Sequence, residues 1–176
     1  MIEFGLPQGI VLAVALQRLG ELAYSHRNTK RLLAQGAREV GAGHYPLFVL
    51  LHAVWLLLMF VLVPADADIS VPLLAAFVIL QGLRVWIVLT LGPYWTTRIV
   101  TLPDAPLVRR GPYRYLRHPN YVVVIGEIAL LPLAFDAWEI ALVFSILNLA
   151  LLWHRVQIED AALDERRRLT ASTDRL

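Results

Sequence analysis

Five long apolar segments make up about half of this chain of 176 residues. They are Leu6–Tyr24, Leu47–Val63, Val71–Leu91, Tyr121–Phe135 and Ile140–Trp153. Because a helix of roughly 20 apolar residues crosses the hydrocarbon core of a bilayer, this pattern predicts an integral membrane protein. The chain is 58% hydrophobic, which excludes intrinsic disorder and disfavours an ordinary soluble domain.

The last two segments are short, but only residues 136–139 separate them. We therefore expect a helical hairpin from about Pro119 to Gln157. Pro119 suits a first helical turn, where no backbone N–H is needed, and Pro132 is expected to kink the fourth span. The predicted fold class is all-α, with about five transmembrane helices.

We expect one membrane domain over residues 1–176, because no repeat or flexible linker divides the chain. It would have three N-terminal spans (1–92), a cytosolic connecting segment (93–120), and a hairpin with a cytosolic helix extension (121–168).

The basic residues alternate with the spans. Fourteen of the sixteen lysines and arginines lie in three stretches, residues 25–46, 92–120 and 154–176, whereas residues 64–70 and 136–139 contain none. Since basic connections stay in the cytosol, this distribution predicts an external N-terminus and a cytosolic C-terminus. The formal net charge is only +2, so a nucleic-acid partner is not expected.

Four ionisable residues fall within the predicted spans: Arg18, Glu21, Arg84 and Glu127. Such groups are costly in a membrane unless they are paired or hydrated. Arg18 and Glu21 are three residues apart and can pair on one helix face. Arg84 can pair with Glu127 across helices or extend towards the interface, and Glu127 can line a cavity.

The segment 95–121 combines aromatic residues, five arginines and four prolines, which suits either anionic lipid head groups or a polar ligand. Cysteine is absent, and the histidines show no spacing typical of a metal site, so no metal is expected. No glycine-rich phosphate loop occurs. Arg155 and Glu159 lie four residues apart, on one face of the last helix.

Two motifs narrow the function. Residues 111–121 read GPYRYLRHPNY, and Arg155-x-x-x-Glu159-Asp160 follows after a hairpin. Together they resemble the isoprenylcysteine carboxyl methyltransferase family, integral membrane enzymes that take a methyl group from S-adenosylmethionine. The segment from Trp95 resembles the bacterial branch, which implies the bacterial inner membrane. Asp160 stands where the family has a second glutamate.

The resemblance implies roles for particular residues. Arg117 and Arg155 would orient the acceptor oxygen or balance charge near the reacting centre. On chemical grounds, if the acceptor is a phenol or enol, Glu127 or Glu159 would help by accepting its proton. S-adenosylmethionine would be held by Leu107, Val108, Gly111, His118, Tyr121, Glu159 and Asp160.

The expected activity is methyl transfer to an oxygen of a lipophilic or amphiphilic molecule drawn from the bilayer. An alkyl-pyrone or alkyl-resorcinol hydroxyl is preferred to a prenylcysteine-like carboxylate. Two alternatives stay open: an NADPH-dependent reductase of the related sterol reductase architecture, and a non-enzymatic scaffold bound to membrane lipids. The sequence does not fix the oligomeric state.

Overall fold

The computed structural model describes residues 3–102 and 108–173, with side chains described through residue 162. In this part of the chain five α-helices form the molecule. They are α1 (Leu6–Ala34), α2 (Tyr45–Leu62), α3 (Val71–Leu91), α4 (Pro119–Leu133) and α5 (Trp138–Thr173).

Among the described residues, three helical stretches are long and apolar enough to cross a membrane: Ala42–Leu62, Val71–Tyr94 and Trp138–Ala162. The fourth helix is apolar but shorter, at 15 residues. Pro132, expected to kink this span, lies in its last turn, and the helix ends at Leu133. The predicted hairpin of α4 and α5 is present, and α4 packs against both α3 and α5.

The first helix is longer than its apolar segment, because α1 continues ten residues beyond Tyr24 to Ala34. No glycine or proline interrupts residues 25–34, so nothing in that stretch opposes a helix. The chain then leaves the helix at Gly36, whose φ is +91°, a conformation that glycine adopts without a steric penalty.

A small antiparallel sheet joins two of the basic stretches. Strand β1 (Arg38–Val40) pairs with β2 (Ile99–Thr101), with Glu39 opposite Val100. Arg98 donates to the Glu39 carboxylate at 2.8 Å and strengthens this connection. Strands of three residues carry little hydrophobic alternation, so the sequence pattern did not predict them.

The main core lies between the helices. Trp55 and Met59 of α2 and Ile128 and Leu131 of α4 are almost completely buried there. Helix α3 packs closely on α4 at Gly126, where an added Cβ would lie 2.5 Å from Leu80 Cδ1 and the leucine side chain would have to move. Many other large apolar side chains on the helices are exposed, as expected for surfaces that face lipid.

Candidate active site

A cavity of about 640 Å³, which we call the polar cavity because of the charged side chains in its lining, opens at the end of the bundle where β1 and β2 lie. Sites for small ligands typically enclose about 300–1,000 Å³. Arg98, Arg117 and Glu159 face the cavity from three separate parts of the chain. Charged groups of both signs therefore surround one space that forms only when the chain folds.

Arg155 of α5 lies at the centre of this region, with only 8% of its surface exposed. Its Nε donates to the Tyr121 hydroxyl at 2.7 Å, and its Nη2 donates to the Thr97 carbonyl at 2.8 Å. The Tyr121 hydroxyl donates in turn to the Glu159 carboxylate. These contacts fix the guanidinium plane, because a planar fork bound at two points cannot rotate freely.

Aromatic rings complete the surroundings of the same guanidinium. Arg155 Cζ lies 5.2 Å from the centroid of the Phe48 ring and 5.7 Å from that of Tyr121. Both distances are within the range of a cation–π contact. Arg155 is thus held by α2, α4 and the connecting segment together.

His118 lies between two carboxylates. Its ring stacks on Tyr121 with 5.2 Å between centroids. Its Nε2 is 3.0 Å from Asp160 Oδ1, and its Nδ1 is 3.6 Å from Glu159 Oε1. Contact with the Glu159 carboxylate, and then with Asp160, raises the pKa of His118 in spite of its partial burial. Asp160, although shorter than the glutamate found in the family, therefore still reaches the His118 ring.

Two more of the residues predicted to bind the cofactor are described by the structure, Val108 and Gly111. Val108 is part of the lining of the polar cavity. Gly111 lies next to Thr90 of α3 and has a φ of +55°, and an added Cβ would lie 2.7 Å from Thr90 Oγ1. Glycine is therefore required there by both conformation and space. Leu107 lies outside the described residues.

Glu127 is not part of the lining of this cavity. It is 3% exposed on α4, and both of its carboxylate oxygens accept from Arg84. It also accepts from Arg18 at 2.9 Å and from Gln81 at 2.7 Å. The structure thus shows the ion pair between Arg84 and Glu127. The role of Glu127 as a proton acceptor stays a prediction.

The predicted pair of Arg18 and Glu21 is also present, at 2.6 Å. Arg84 Nη1 lies 3.3 Å from the same Glu21 carboxylate. Arg18, Glu21, Arg84 and Glu127 are therefore one cluster of two positive and two negative charges, which we call the buried ion cluster. It connects α1, α3 and α4.

A second cavity of about 380 Å³ lies between α1, α2 and the polar cavity. Its walls are mainly apolar and include Leu19, Leu22, Phe48, Val49, Ala53 and Leu56. The contributions of α2 recur every three or four residues, so they form a single helix face. Leu19 is 62% exposed and Val49 is 38% exposed, so the cavity is bordered by side chains on the lipid-facing surface.

The two cavities share a wall. Five residues line both of them: Trp95, Thr96, Asn120, Tyr121 and Arg155. A molecule in the polar cavity and a molecule in the apolar cavity would therefore meet at these side chains. Tyr121 and Arg155, predicted from the motifs, form this boundary.

Sequence reasoning missed the residues that hold the wall in place. Ser25 and Tyr45 each hydrogen-bond to Thr97 Oγ1, at 2.8 and 3.1 Å. Asn28 donates to the Trp95 carbonyl at 2.9 Å. Ser25 and Asn28 are three residues apart on α1 and buried. Polar residues at this spacing lie on one helix face, and this pattern could have indicated that the face makes tertiary hydrogen bonds.

Comparison with known proteins agrees with this geometry. The profile of the isoprenylcysteine carboxyl methyltransferase (ICMT) family matches residues 73–165. This match covers more than half of the chain and contains both motifs. The chain belongs to the ICMT family. It is therefore an integral membrane protein of a methyltransferase family.

Two bacterial relatives are similar over nearly their whole length. The uncharacterized protein YpbQ of Bacillus subtilis (strain 168) is 39% identical over 160 residues, which cover 89% of this chain and 95% of YpbQ. An uncharacterized protein of Haemophilus influenzae (strain Rd) is 26% identical over 170 residues, covering 93% and 96%. No solved structure matches the chain.

Proposed function

We propose that this ICMT-family protein transfers a methyl group from S-adenosylmethionine to an oxygen of a lipophilic or amphiphilic acceptor at the cytosolic face of the membrane. The observation that carries the proposal is the wall shared by the two cavities. One cavity is polar and charged, the other is apolar and borders the lipid-facing surface, and Tyr121 and Arg155 line both. A water-soluble donor and a membrane-dissolved acceptor have to meet at such a boundary.

The residues of the polar cavity fit this donor. S-adenosylmethionine carries an ammonium, a carboxylate, a sulfonium and an adenine ring. Glu159 offers a carboxylate to positive groups, and Arg117 offers donors to a carboxylate. His118 contacts Glu159 and Asp160 and thereby orders these two acids. Aromatic rings such as Tyr113, whose pKa is raised by burial, supply flat apolar surface for a base. The cavity volume of about 640 Å³ is sufficient for a ligand of this size.

We assign the cofactor to the group predicted from the motifs: Leu107, Val108, Gly111, His118, Tyr121, Glu159 and Asp160. When bound, S-adenosylmethionine supplies a methyl group on a positively charged sulfur. The protein residues have to align the acceptor oxygen with that group and exclude water, because positioning accounts for much of the rate in such a displacement.

Arg155 is the residue placed to orient the acceptor oxygen. It is the only arginine among the five residues that line both cavities, and its guanidinium is fixed by Tyr121 and Thr97. A fixed guanidinium stabilises negative charge on a carboxylate or on a phenolate oxygen without reorganisation. Arg117, which lines only the polar cavity, balances charge nearer the cofactor.

The membrane arrangement belongs to the same proposal. Helices α1 and α4 complete the five spans, with the N-terminus outside and the C-terminus in the cytosol of a bacterium. The polar cavity then opens to the cytosol, where the cofactor is dissolved.

Thermal unfolding of the purified protein in detergent tests the proposal. A ligand that binds only the folded state raises the Tm, so we expect S-adenosylmethionine to raise it and NADPH to leave it unchanged. Glu159→Gln should reduce the shift, whereas Glu139→Gln at the opposite end of α5 should retain it. Stabilisation by NADPH alone would favour a reductase, and no shift with either ligand would favour a scaffold.

A further inference from the structure

The deep end of the apolar cavity is polar. Arg18 and Glu21 of α1, His52 of α2 and Arg84 of α3 line this end. Ionisable groups inside a membrane bundle are costly and mark function unless they are fully paired. A group at this end can bind a ligand only if one of its polar atoms is not already paired within the protein.

Two helices place this polar end at the same depth. Ser25 and Tyr45 both bond to Thr97 Oγ1, close to the shared wall. Arg18 lies seven residues from Ser25 along α1, and His52 lies seven residues from Tyr45 along α2. Since an α-helix rises about 1.5 Å per residue, both side chains lie about 10 Å deeper than that level.

The charges at this depth neutralise one another. The buried ion cluster pairs two guanidinium groups with two carboxylates, at distances of 2.6 Å for Arg18 and Glu21 and 3.3 Å for Arg84 and Glu21. Because the cluster has no net charge, it does not favour a charged ligand group at the cavity end. Any ligand group bound there should be polar but uncharged.

His52 is different, because one of its nitrogens is available. Nδ1 lies 2.8 Å from the Phe48 carbonyl, which can only accept, so Nδ1 carries the proton and Nε2 of the neutral ring is an acceptor. The hydrogen bonds of the described side chains include none to Nε2. Nε2 is also not among the buried atoms without a partner, which agrees with its position at the cavity.

We infer that the deep end of the apolar cavity is a second polar subsite, where His52 Nε2 accepts a hydrogen bond from an uncharged donor group of the acceptor molecule, such as a hydroxyl. This inference rests on the proposed function, since it takes the apolar cavity as the acceptor site. The acceptor then has two polar groups about 10 Å apart, one at Arg155 and one at His52. A tail of pure hydrocarbon leaves Nε2 without a partner and binds more weakly.

A pair of probes isolates this contact. The probes para-butylphenol and para-(ω-hydroxybutyl)phenol differ only by a hydroxyl at the far end of the chain. Their affinities for the full-length protein in detergent are measured by equilibrium dialysis, which does not require methyl transfer. We expect the hydroxylated probe to bind the wild-type protein about tenfold more tightly than its parent, corresponding to one hydrogen bond formed in place of an unpaired acceptor.

Three variants test whether His52 is the residue that binds the hydroxyl of the probe. His52→Phe keeps a ring but removes the acceptor, so the two probes should bind with equal affinity. His52→Gln keeps an acceptor oxygen and should retain part of the preference. Leu56→Ala, one turn further along α2, should weaken both probes equally and leave their ratio unchanged.

Two results would overturn the inference: equal affinity of both probes for the wild-type protein, including no binding of either, or an unchanged preference in His52→Phe. Cofactor binding is measured on the same samples. If the preference holds but S-adenosylmethionine does not bind, the subsite stands and the proposed function fails. If the cofactor binds and the preference is absent, only the subsite fails.

Discussion

Arg155 Nε lies 2.7 Å from the Tyr121 hydroxyl, and this contact joins α5 to α4 at the wall between the polar and the apolar cavity. The Tyr121 hydroxyl donates a further hydrogen bond to the Glu159 carboxylate. Glu159, which lines the polar cavity, and Arg155, which we propose to orient the acceptor, are thus linked through Tyr121.

Arg155→Ala should abolish methyl transfer while the protein still folds in detergent. Removal of a single preorganised donor typically costs about a hundredfold or more in kcat. Arg155→Lys should not restore activity, because one ammonium cannot reproduce the contacts of Nε and Nη2. Arg27→Ala, an exposed arginine on α1, is the matched control, and turnover by Arg155→Ala at its rate would contradict the assignment.

Tyr121→Phe should lower kcat by about tenfold, since Arg155 Nε and the Glu159 carboxylate each lose a buried partner. Steady-state rates of methyl transfer measure the change. Tyr115→Phe serves for comparison, because Tyr115 is 76% exposed and lies outside the cavity lining. If both phenylalanine variants behaved alike, the hydroxyl of Tyr121 would have no positioning role.

The helical framework follows from hydrophobic segments and from proline and glycine positions. Both ends of α3 and the start of α4 at Pro119 are those predicted. The extension of α1 to Ala34 and the pairing of β1 with β2 were not predicted. The extension carries a polar sequence held by tertiary contacts such as that of Asn28 with the Trp95 carbonyl, and strands this short have too few residues for a pattern.

The candidate site was predictable to the extent that its motifs are local. His118 and Tyr121 come from one motif and Arg155 and Glu159 from the other, and the structure brings the two together. Thr97 was not singled out, although Arg155 depends on its carbonyl. A backbone carbonyl carries no sequence signal, so only tertiary structure shows its part.

His118 should make the stability of the protein depend on pH. Its pKa is raised in the folded state by Glu159 and Asp160, whereas the pKa of a histidine in the unfolded chain is about 6.5. The stabilisation is therefore complete below that pH and is lost as the pH rises through the folded-state pKa. The Tm of the wild-type protein should fall over this range more steeply than that of His118→Gln, and parallel curves would contradict the ion pairs.

His118→Ala should also weaken S-adenosylmethionine binding, because the imidazole orders the two carboxylates proposed to hold it. Isothermal titration calorimetry gives the affinity directly. His26→Ala is a suitable control, since His26 is exposed on α1. Equal affinities in the wild type and His118→Ala would remove this histidine from the cofactor site.

Glu127→Gln should destabilise the protein by about 3–5 kcal/mol, the usual cost of leaving a buried charge without its partner. Arg84 and Arg18 both lose a carboxylate in this variant. The double variant Arg84→Gln with Glu127→Gln should lose less than the two single variants together, because their effects are coupled. Denaturation in detergent measures all three, and strict additivity would show that the pair contributes nothing.

The most direct test is incubation of the wild-type protein and Arg155→Ala with methyl-labelled S-adenosylmethionine and a lipid extract from the host. The account predicts that label enters a lipid-soluble product as an O-methyl group with the wild-type protein and not with the variant. Absence of labelled lipid with folded wild-type protein, or equal labelling by both proteins, would contradict it.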